Sequence, residues 1–128
     1  MQRLNNLPVL VVDDDHASAK LLAVILRGAG CEVHIASSAE EALSLVPIVK
    51  PKLLVLDLVL PLMSGMLLAQ QLKQAPATKD VVIIAVSAFN GSQVEHEAKR
   101  AGCIAYLRKP IDPLSFTQLV ATHLGDQP

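Results

Sequence analysis

The chain has 128 residues, which is enough for about one domain with a single packed core. Hydrophobic residues make up 52% and charged residues 18%, a composition that argues against disorder, and no apolar run reaches the roughly 18 residues of a membrane span. The net charge is −1, and only three aromatic side chains are available to stack on bases, so direct binding of nucleic acid is not expected. The composition predicts a soluble protein that does not contact membranes.

The N-terminus and the cysteines indicate the cellular setting. Residues 1–8 contain no long apolar core, so no secretory signal is predicted and a cytoplasmic location is expected. Cys31 and Cys103 lack the spacing of metal ligands and the density of a disulfide scaffold, and both are interpreted as free thiols.

Short apolar runs alternate five times with longer stretches of helical period, which is typical of βα units and of a parallel sheet covered on both faces. Serine, aspartate, glycine and proline residues set the predicted helix ends. In chain order, the prediction is strand 9–12, helix 17–29, strand 32–35, a helix from Ser38 that Pro47 ends near Val46, strand 53–56, helix 64–74, strand 82–86, a helix capped by Ser92 and ended at Gly102, strand 104–107, and a helix from Asp112 to Leu124. We expect residues 1–128 to be one module with its core at about 7–124, with no linker and no output domain.

Four of the predicted strands run directly into polar side chains. The first ends at Asp13 and Asp14, the third at Asp57, the fourth at Ser87 and the fifth at Lys109. Because the carboxyl ends of parallel strands meet at one edge of a sheet, these side chains are expected to converge there.

The expected cluster has the composition of a site for phosphoryl chemistry. Three neighbouring carboxylates repel one another unless a divalent cation neutralises them, and Mg²⁺ suits such a site. Lys109 adds a cation and Ser87 a hydroxyl donor, so Asp57 could form and hold an acyl phosphate. Taken singly, the acidic residues fit a solvated turn, the lysine a surface loop and the serine a strand cap, but their shared position at strand ends favours a site.

These motifs resemble those of a known family. They read Val-Val-Asp-Asp-Asp at the first strand end, Leu-Asp-Leu-Val-Leu-Pro-Leu-Met-Ser-Gly around Asp57, Val-Ser-Ala at 86–88 and Tyr-Leu-Arg-Lys-Pro at 106–110. Together they are similar to the receiver domain of two-component response regulators of the chemotaxis-regulator type. The resemblance implies an α/β fold with a five-stranded parallel sheet in the order 2-1-3-4-5, doubly wound and flavodoxin-like.

The resemblance also implies a function for the predicted site. Asp57 would accept a phosphoryl group from a histidine kinase or a histidine phosphotransfer protein. Asp14 and Asp57 would bind Mg²⁺ directly, Asp13 would assist through water, and the backbone carbonyl of Val59 would complete the metal shell. The chain would then be a signalling switch and no enzyme apart from its own phosphorylation and dephosphorylation.

The same resemblance implies which residues respond when Asp57 is phosphorylated. Ser87 and Lys109 would contact the phosphoryl group, and the Lys109-Pro110 bond is expected to be cis. Tyr106 matches an aromatic residue that such domains swing inward, although a strand aromatic with a wet hydroxyl is an alternative. Together with Ser87 it would repack the face made by the fourth helix, fifth strand and fifth helix, where a downstream protein target binds.

The first predicted helix suggests a docking surface. A helical wheel places Leu21, Leu22 and Ile25 on a buried face and leaves four apolar residues beside the polar stripe. These are Ala19, Ala23, Val24 and Leu26. They are interpreted as a partly exposed patch that, with Pro110 and Ile111, docks the helical bundle of the phosphate donor; a broadly buried helix is an equal alternative.

Two apolar residues bear on phosphate lifetime. Val59 and Phe89 cannot orient an attacking water, so slow self-dephosphorylation is expected. Val59 also stands where a phosphatase of the haloacid-dehalogenase type needs a second acid, which disfavours that function. A flavin-binding module is disfavoured by the acidic residues after the first strand.

The sequence is also compatible with three further roles. The chain could be a phosphorelay intermediate, a fragment of a hybrid kinase, or a phosphorylation-independent interaction module. Its oligomeric state could be that of a monomer or a weak dimer.

Overall fold

The computed structural model describes residues 4–60, 63–88 and 91–125. Strands and helices alternate throughout. The strands are β1 Pro8–Val12, β2 Glu32–Ala36, β3 Leu53–Asp57, β4 Val82–Ser87 and β5 Ala105–Arg108. The helices are α1 His16–Gly28, α2 Ala39–Val49, α3 Gly65–Gln74, α4 Ser92–Arg100 and α5 Pro113–Leu124.

All strand pairs are parallel, and the sheet order is β2-β1-β3-β4-β5, which confirms the predicted fold class. The register aligns Val12 with Leu56 across β1 and β3, and Asp57 with Val86 across β3 and β4. The strands therefore end close to one another, and the residues that follow them share one edge.

Two apolar layers sandwich the sheet, as the alternation of side chains along a strand requires. Leu10 and Leu54 face the layer formed with α2, α3 and α4. Val9 and Val55 face the layer formed with α1 and α5. All four side chains have no exposed surface, because helices cover both faces of the sheet.

Local signals set most helix starts correctly. The hydroxyl of Ser64 accepts a hydrogen bond from the N–H of Leu67 at 3.2 Å, and a carboxylate oxygen of Asp112 accepts one from the N–H of Ser115 at 2.9 Å. The prediction that Ser92 caps α4 is wrong. Ser92 is the first residue of that helix, and its N-cap is Gly91 at φ 142°, with no side-chain capping bond.

Pro47 does not end α2, contrary to the prediction. The helix continues through it to Val49 and ends at Lys50, which takes the left-handed conformation at φ 50°. A proline in the interior of a helix removes one backbone donor. Here it lies in the last turn, where the N–H of Lys50 still donates to the carbonyl of Val46 at 2.9 Å.

The predicted orientation of α1 is also wrong for three of the four patch residues. Ala19, Ala23 and Leu26 are buried against the sheet together with Leu22, whereas Val24 is exposed as predicted. Small alanine side chains let a helix approach a sheet closely, so this helix buries its alanine face and leaves the larger Leu21 outside. A patch built on the three buried residues does not exist in the fold.

Both cysteines are free, as predicted. The structure also buries them, and burial raises the pKa of each thiol to about 11. Within the described ranges, every helix is too short or too polar to cross a membrane.

Candidate functional site

The predicted side chains converge at the carboxyl edge of the sheet. Lys109 lies at their centre, because its Nζ donates to Oδ2 of Asp13 at 2.8 Å and to Oδ2 of Asp57 at 3.2 Å. The backbone of Lys109 is attached to the neighbouring strand end, since its N–H donates to the carbonyl of Ser87 at 2.8 Å. The Lys109-Pro110 peptide bond is cis, as expected.

The site is largely withdrawn from solvent. Asp13 is 1% exposed, Asp57 7% and Ser87 0%, whereas Asp14 lies at the surface. A buried carboxylate is costly unless it is paired, and Lys109 is the cation that pairs with both buried carboxylates.

Different interactions determine the pKa values of Lys109 and of Asp57, the candidate nucleophile. Burial raises the pKa of the Asp57 carboxyl, and the charge of Asp13 adds to that shift, which outweighs the hydrogen bond from Val59 and the attraction of Lys109. Burial lowers the pKa of Lys109, but the hydrogen bond to Asp13 and the two carboxylate charges outweigh it, so the pKa of this amine is raised. Lys109 is therefore firmly cationic, while the negative charge on Asp57 is only partly compensated.

Backbone N–H groups hold the two buried carboxylates in place. Oδ1 of Asp57 accepts from the N–H of Val59 at 3.0 Å, and Oδ1 of Asp13 accepts from the N–H of Asp15 at 3.0 Å. Each carboxylate thus has one oxygen on a backbone donor and the other on Lys109. The two backbone bonds do not depend on flexible side chains, so they help to fix the orientation of both carboxylates.

Gly65 positions Asp57 from the side of α3, and the sequence reasoning missed this role. Its N–H donates to the carbonyl of Leu58 at 3.2 Å. A Cβ atom at residue 65 would overlap the backbone oxygen of Asp57 and would come within 2.8 Å of the Cα of Leu58. The available signal was a glycine directly after the helix cap Ser64, where a side chain would normally be tolerated.

The acidic cluster fits a hard divalent cation. Asp13, Asp14 and Asp57 each offer a carboxylate oxygen, and these atoms lie within 4.8 Å of one another. Oxygen donors of this kind suit Mg²⁺ or Ca²⁺ better than metals that prefer nitrogen or sulfur. The exposed carboxylate of Asp14 leaves the cluster open to solvent on one side.

The remaining predicted residues lie around this centre or at a distance from it. Tyr106 is half-buried on β5 and packs against the α2–α4 layer. Pro110 is exposed and Ile111 half-buried just beyond Lys109, while Val24 is 57% exposed on α1. Phe89 lies outside the described residues.

Comparison with known proteins agrees with this geometry. The model of the response regulator receiver domain family matches residues 9–121, and the chain belongs to that family. The chain is 32% identical over 118 residues to the polar-differentiation response regulator DivK of Brucella ovis, covering 92% of this chain and 96% of DivK. It is 39% identical over 120 residues to an uncharacterised 14.6 kDa protein of Leptolyngbya boryana, covering 94% and 92% of the two chains.

The fold also matches solved structures of receiver domains. The crystal structure of a CheY-like response regulator receiver domain protein from Methanospirillum hungatei has a TM-score of 0.83 and 28% identity, covering 91% of each chain. Receiver domains are phosphorylation-dependent signalling switches rather than classical enzymes, and they bind Mg²⁺ at an acidic cluster of the kind formed here by Asp13, Asp14 and Asp57.

Proposed function

We propose that this chain accepts a phosphoryl group on Asp57 and thereby switches a protein-binding face. The observation that carries the proposal is Lys109, which bridges Asp13 and Asp57 at 2.8 and 3.2 Å within a buried acidic cluster. A structural ion pair needs one carboxylate, whereas this lysine meets two, with a third carboxylate on Asp14 nearby. Such an excess of negative charge is costly unless it serves binding or chemistry.

The reaction is a transfer between a phosphohistidine and the Asp57 carboxylate. A carboxylate oxygen attacks phosphorus, the P–N bond breaks, and its electron pair leaves with the imidazole nitrogen, which takes a proton. The N–H of Val59 holds Oδ1 of Asp57, so the Oδ2 atom that faces Lys109 is the better candidate nucleophile. Lys109 can move from that oxygen to the transferred group, and the Ser87 hydroxyl can donate to a phosphoryl oxygen.

The acidic cluster supports Mg²⁺ as the cofactor, with Asp14 and Asp57 as direct ligands, Asp13 acting through water and the Val59 carbonyl as a further ligand. When bound, Mg²⁺ supplies positive charge against the carboxylates and the phosphoryl oxygens. Asp14 is the exposed member of the cluster, which suits it to be the first carboxylate that an entering cation meets.

The readout we propose is a change on the face formed by α4, β5 and α5. Ser87 ends β4 beside β5, where it pairs in register with Arg108, and Tyr106 lies two residues earlier on β5. A phosphoryl group that draws Ser87 toward Asp57 would make room for Tyr106 to move inward. A downstream protein target would then distinguish the two states.

The phosphoryl donor is a histidine kinase or a histidine phosphotransfer protein. We propose that this donor and the chain both act in the cytoplasm. Of the predicted docking residues, the exposed Val24 and Pro110 and the half-buried Ile111 remain accessible to such a partner. Onward transfer from Asp57 to a histidine would make the chain a phosphorelay intermediate rather than a terminal switch. Following labelled phosphate from Asp57 to a histidine protein distinguishes the two.

The decisive experiment is intact-mass analysis after incubation with acetyl phosphate, with Mg²⁺ and with EDTA. The native chain should gain one phosphoryl group in Mg²⁺ alone. Asp57→Asn should gain none, while the matched control Asp80→Asn, an exposed carboxylate at the other end of the sheet, should behave as the native chain does. Phosphorylation of Asp57→Asn to the native extent, or none on the native chain, would overturn the proposal.

A further inference from the structure

A cavity of about 690 Å³ lies at the amino end of the sheet, away from Asp57. The last turn of α2 forms one wall and the segment between α3 and β4 forms the other. Its floor is apolar and belongs to the core: Leu54 is 0% exposed, Leu72 4% and Val81 8%. The volume is that of a site for one small molecule, which typically measures about 300–1,000 Å³.

Hydrogen bonds hold the α3–β4 wall in shape. The Thr78 hydroxyl donates to the carbonyl of Leu72 at 2.6 Å, and the N–H of Val81 donates to the carbonyl of Thr78 at 3.1 Å. Lys73 Nζ donates to the carbonyl of Val81 at 2.8 Å. Because the wall is already ordered, a ligand that enters does not bear the entropy cost of ordering a loop.

The mouth of the cavity is positively charged. Among the described residues that line it, the charged ones are Lys50, Lys52 and Asp80, and all three are exposed. The carbonyl end of α2 adds partial negative charge here, which Lys50 at the C-cap offsets. Two cations outweigh one carboxylate and about half a negative charge at the helix end, so the rim is net positive and favours an anion.

We propose that this cavity binds a small amphipathic monoanion. Its apolar body would lie against Pro47, Pro51 and Ala77, the apolar lining residues with accessible surface, and its carboxylate or sulfonate would lie at the rim near Lys50 and Lys52. A free small molecule is favoured over an extended partner because the cavity has the volume of a single small ligand and lies between two walls. The site is separate from the acidic cluster, which would repel the same ligand.

The probe for the first test is 1-anilinonaphthalene-8-sulfonate, with uncharged N-phenyl-1-naphthylamine as its comparator. Fluorescence titration of the native chain should show saturable binding of the sulfonate at one site. The double variant Lys50→Ala with Lys52→Ala should bind it about 5-fold more weakly, because two exposed ion pairs are worth about 1 kcal/mol together. Its affinity for the uncharged probe should not change.

A matched control and a blocking variant complete the design. Lys20→Ala, an exposed lysine on α1, should leave both affinities unchanged. Ala77→Trp should fill the mouth and weaken both probes. Amide chemical shifts of the native chain should change on binding at Leu54, Leu72 and Val81.

Several outcomes would overturn the proposal. These are shift changes confined to residues outside the cavity, equal loss of sulfonate binding in Lys20→Ala and the double variant, or binding to anionic phospholipid vesicles without saturable binding of the free probe. All titrations are repeated on Asp57→Asn, since the cavity should bind equally well whether or not Asp57 can be phosphorylated.

Discussion

The two ends of the sheet differ in charge, and β3 connects them. At the carboxyl end, the strand delivers Asp57 into a buried cluster that is paired with Lys109. At the amino end, three residues earlier, Leu54 forms the floor of an apolar cavity with lysines at its rim. One end holds buried charge on fixed backbone donors, and the other holds exposed charge around an apolar surface.

Helix dipoles explain part of this difference. In a parallel α/β sheet the helix N-termini lie at the carboxyl end of the strands, so negative side chains are favoured there and positive ones at the opposite end. The helix caps and first turns contain the acidic residues Asp15, Glu40, Glu41, Glu95 and Asp112. The last turns contain the basic residues Arg27, Lys73, Lys99, Arg100 and His123. A substitution at the buried carboxyl end should therefore disturb its neighbours in the cluster strongly. A substitution at the exposed amino end should act almost independently of its neighbours and of the cluster.

The largest effect is expected from Lys109→Met, measured by urea unfolding in EDTA at pH 7. It leaves the fully buried side chain of Asp13 without its cation and should destabilise the fold by about 3 kcal/mol. The pKa of Lys109 is raised above its ordinary value of 10.5, so its contribution is fully present below pH 10.5 and is lost as the pH rises through the folded value. The difference between native and variant should shrink at high pH.

Lys99→Met is the matched control for that prediction. Lys99 also pairs with a carboxylate, Glu95 at 3.2 Å, but the two side chains are 53% and 48% exposed. Its loss should cost less than about 0.5 kcal/mol. If Lys109→Met and Lys99→Met lowered the free energy of unfolding by similar amounts, the side chains of the buried cluster would depend on one another no more than those of a surface ion pair.

Gly65→Ala should have the next largest effect. The new Cβ overlaps the Asp57 carbonyl oxygen, so either α3 or the phosphorylation site must shift, at a cost of about 2 kcal/mol. Phosphorylation by acetyl phosphate should slow with it. Gly28→Ala is the control, because no atom lies within 4 Å of its new Cβ and alanine favours a helix; it should be neutral or stabilising, by up to about 1 kcal/mol.

Gly102→Ala makes the same kind of substitution as Gly65→Ala, but at the amino end of the sheet. Residue 102 has φ +109°, and a Cβ there meets the Lys73 side chain rather than backbone. The variant should lose about 1–2 kcal/mol of stability from backbone strain. Its phosphorylation rate should equal that of the native chain, whereas a rate as slow as that of Gly65→Ala would break the proposed independence of the two ends.

The residues that sequence reasoning located correctly are those with local or strand-end signals. Ser64 and Asp112 cap helices through bonds to residues three positions later, so a short sequence window contains the whole signal. Asp57 and Lys109 follow apolar strands, and the parallel topology alone brings them to one edge. Their contact at 3.2 Å also depends on how the Lys109 side chain extends across the end of β4, which strand order does not specify.

Two failures are local, the Ser92 cap and the helix end at Pro47, and the others concern tertiary packing. A hydrophobic ranking places Leu21 inside and Ala23 near the surface, but close approach of α1 to the sheet reverses them. Pro47 is tolerated because α2 is already near its end. The cavity depends on how residues 75–81 fold back on α3, and no sequence motif specifies that path.

Asp57→Asn should give the smallest change in the free energy of unfolding. It should stabilise the fold, whereas Lys109→Met should destabilise it. Burial raises the pKa of Asp57, so the folded chain holds this proton to a higher pH than the unfolded chain, and ionisation costs stability as the pH rises through the folded value. In EDTA at pH 7 the variant should be more stable than the native chain, by about 1 kcal/mol or less. The gain should shrink as the pH falls toward 3.8 and vanish below it, where the unfolded carboxyl is protonated as well. Asp80→Asn, on an exposed residue, is the control and should leave stability at pH 7 within about 0.5 kcal/mol of the native value. A destabilised Asp57→Asn at pH 7 would mean that attraction to Lys109 exceeds the combined cost of burial and repulsion from Asp13.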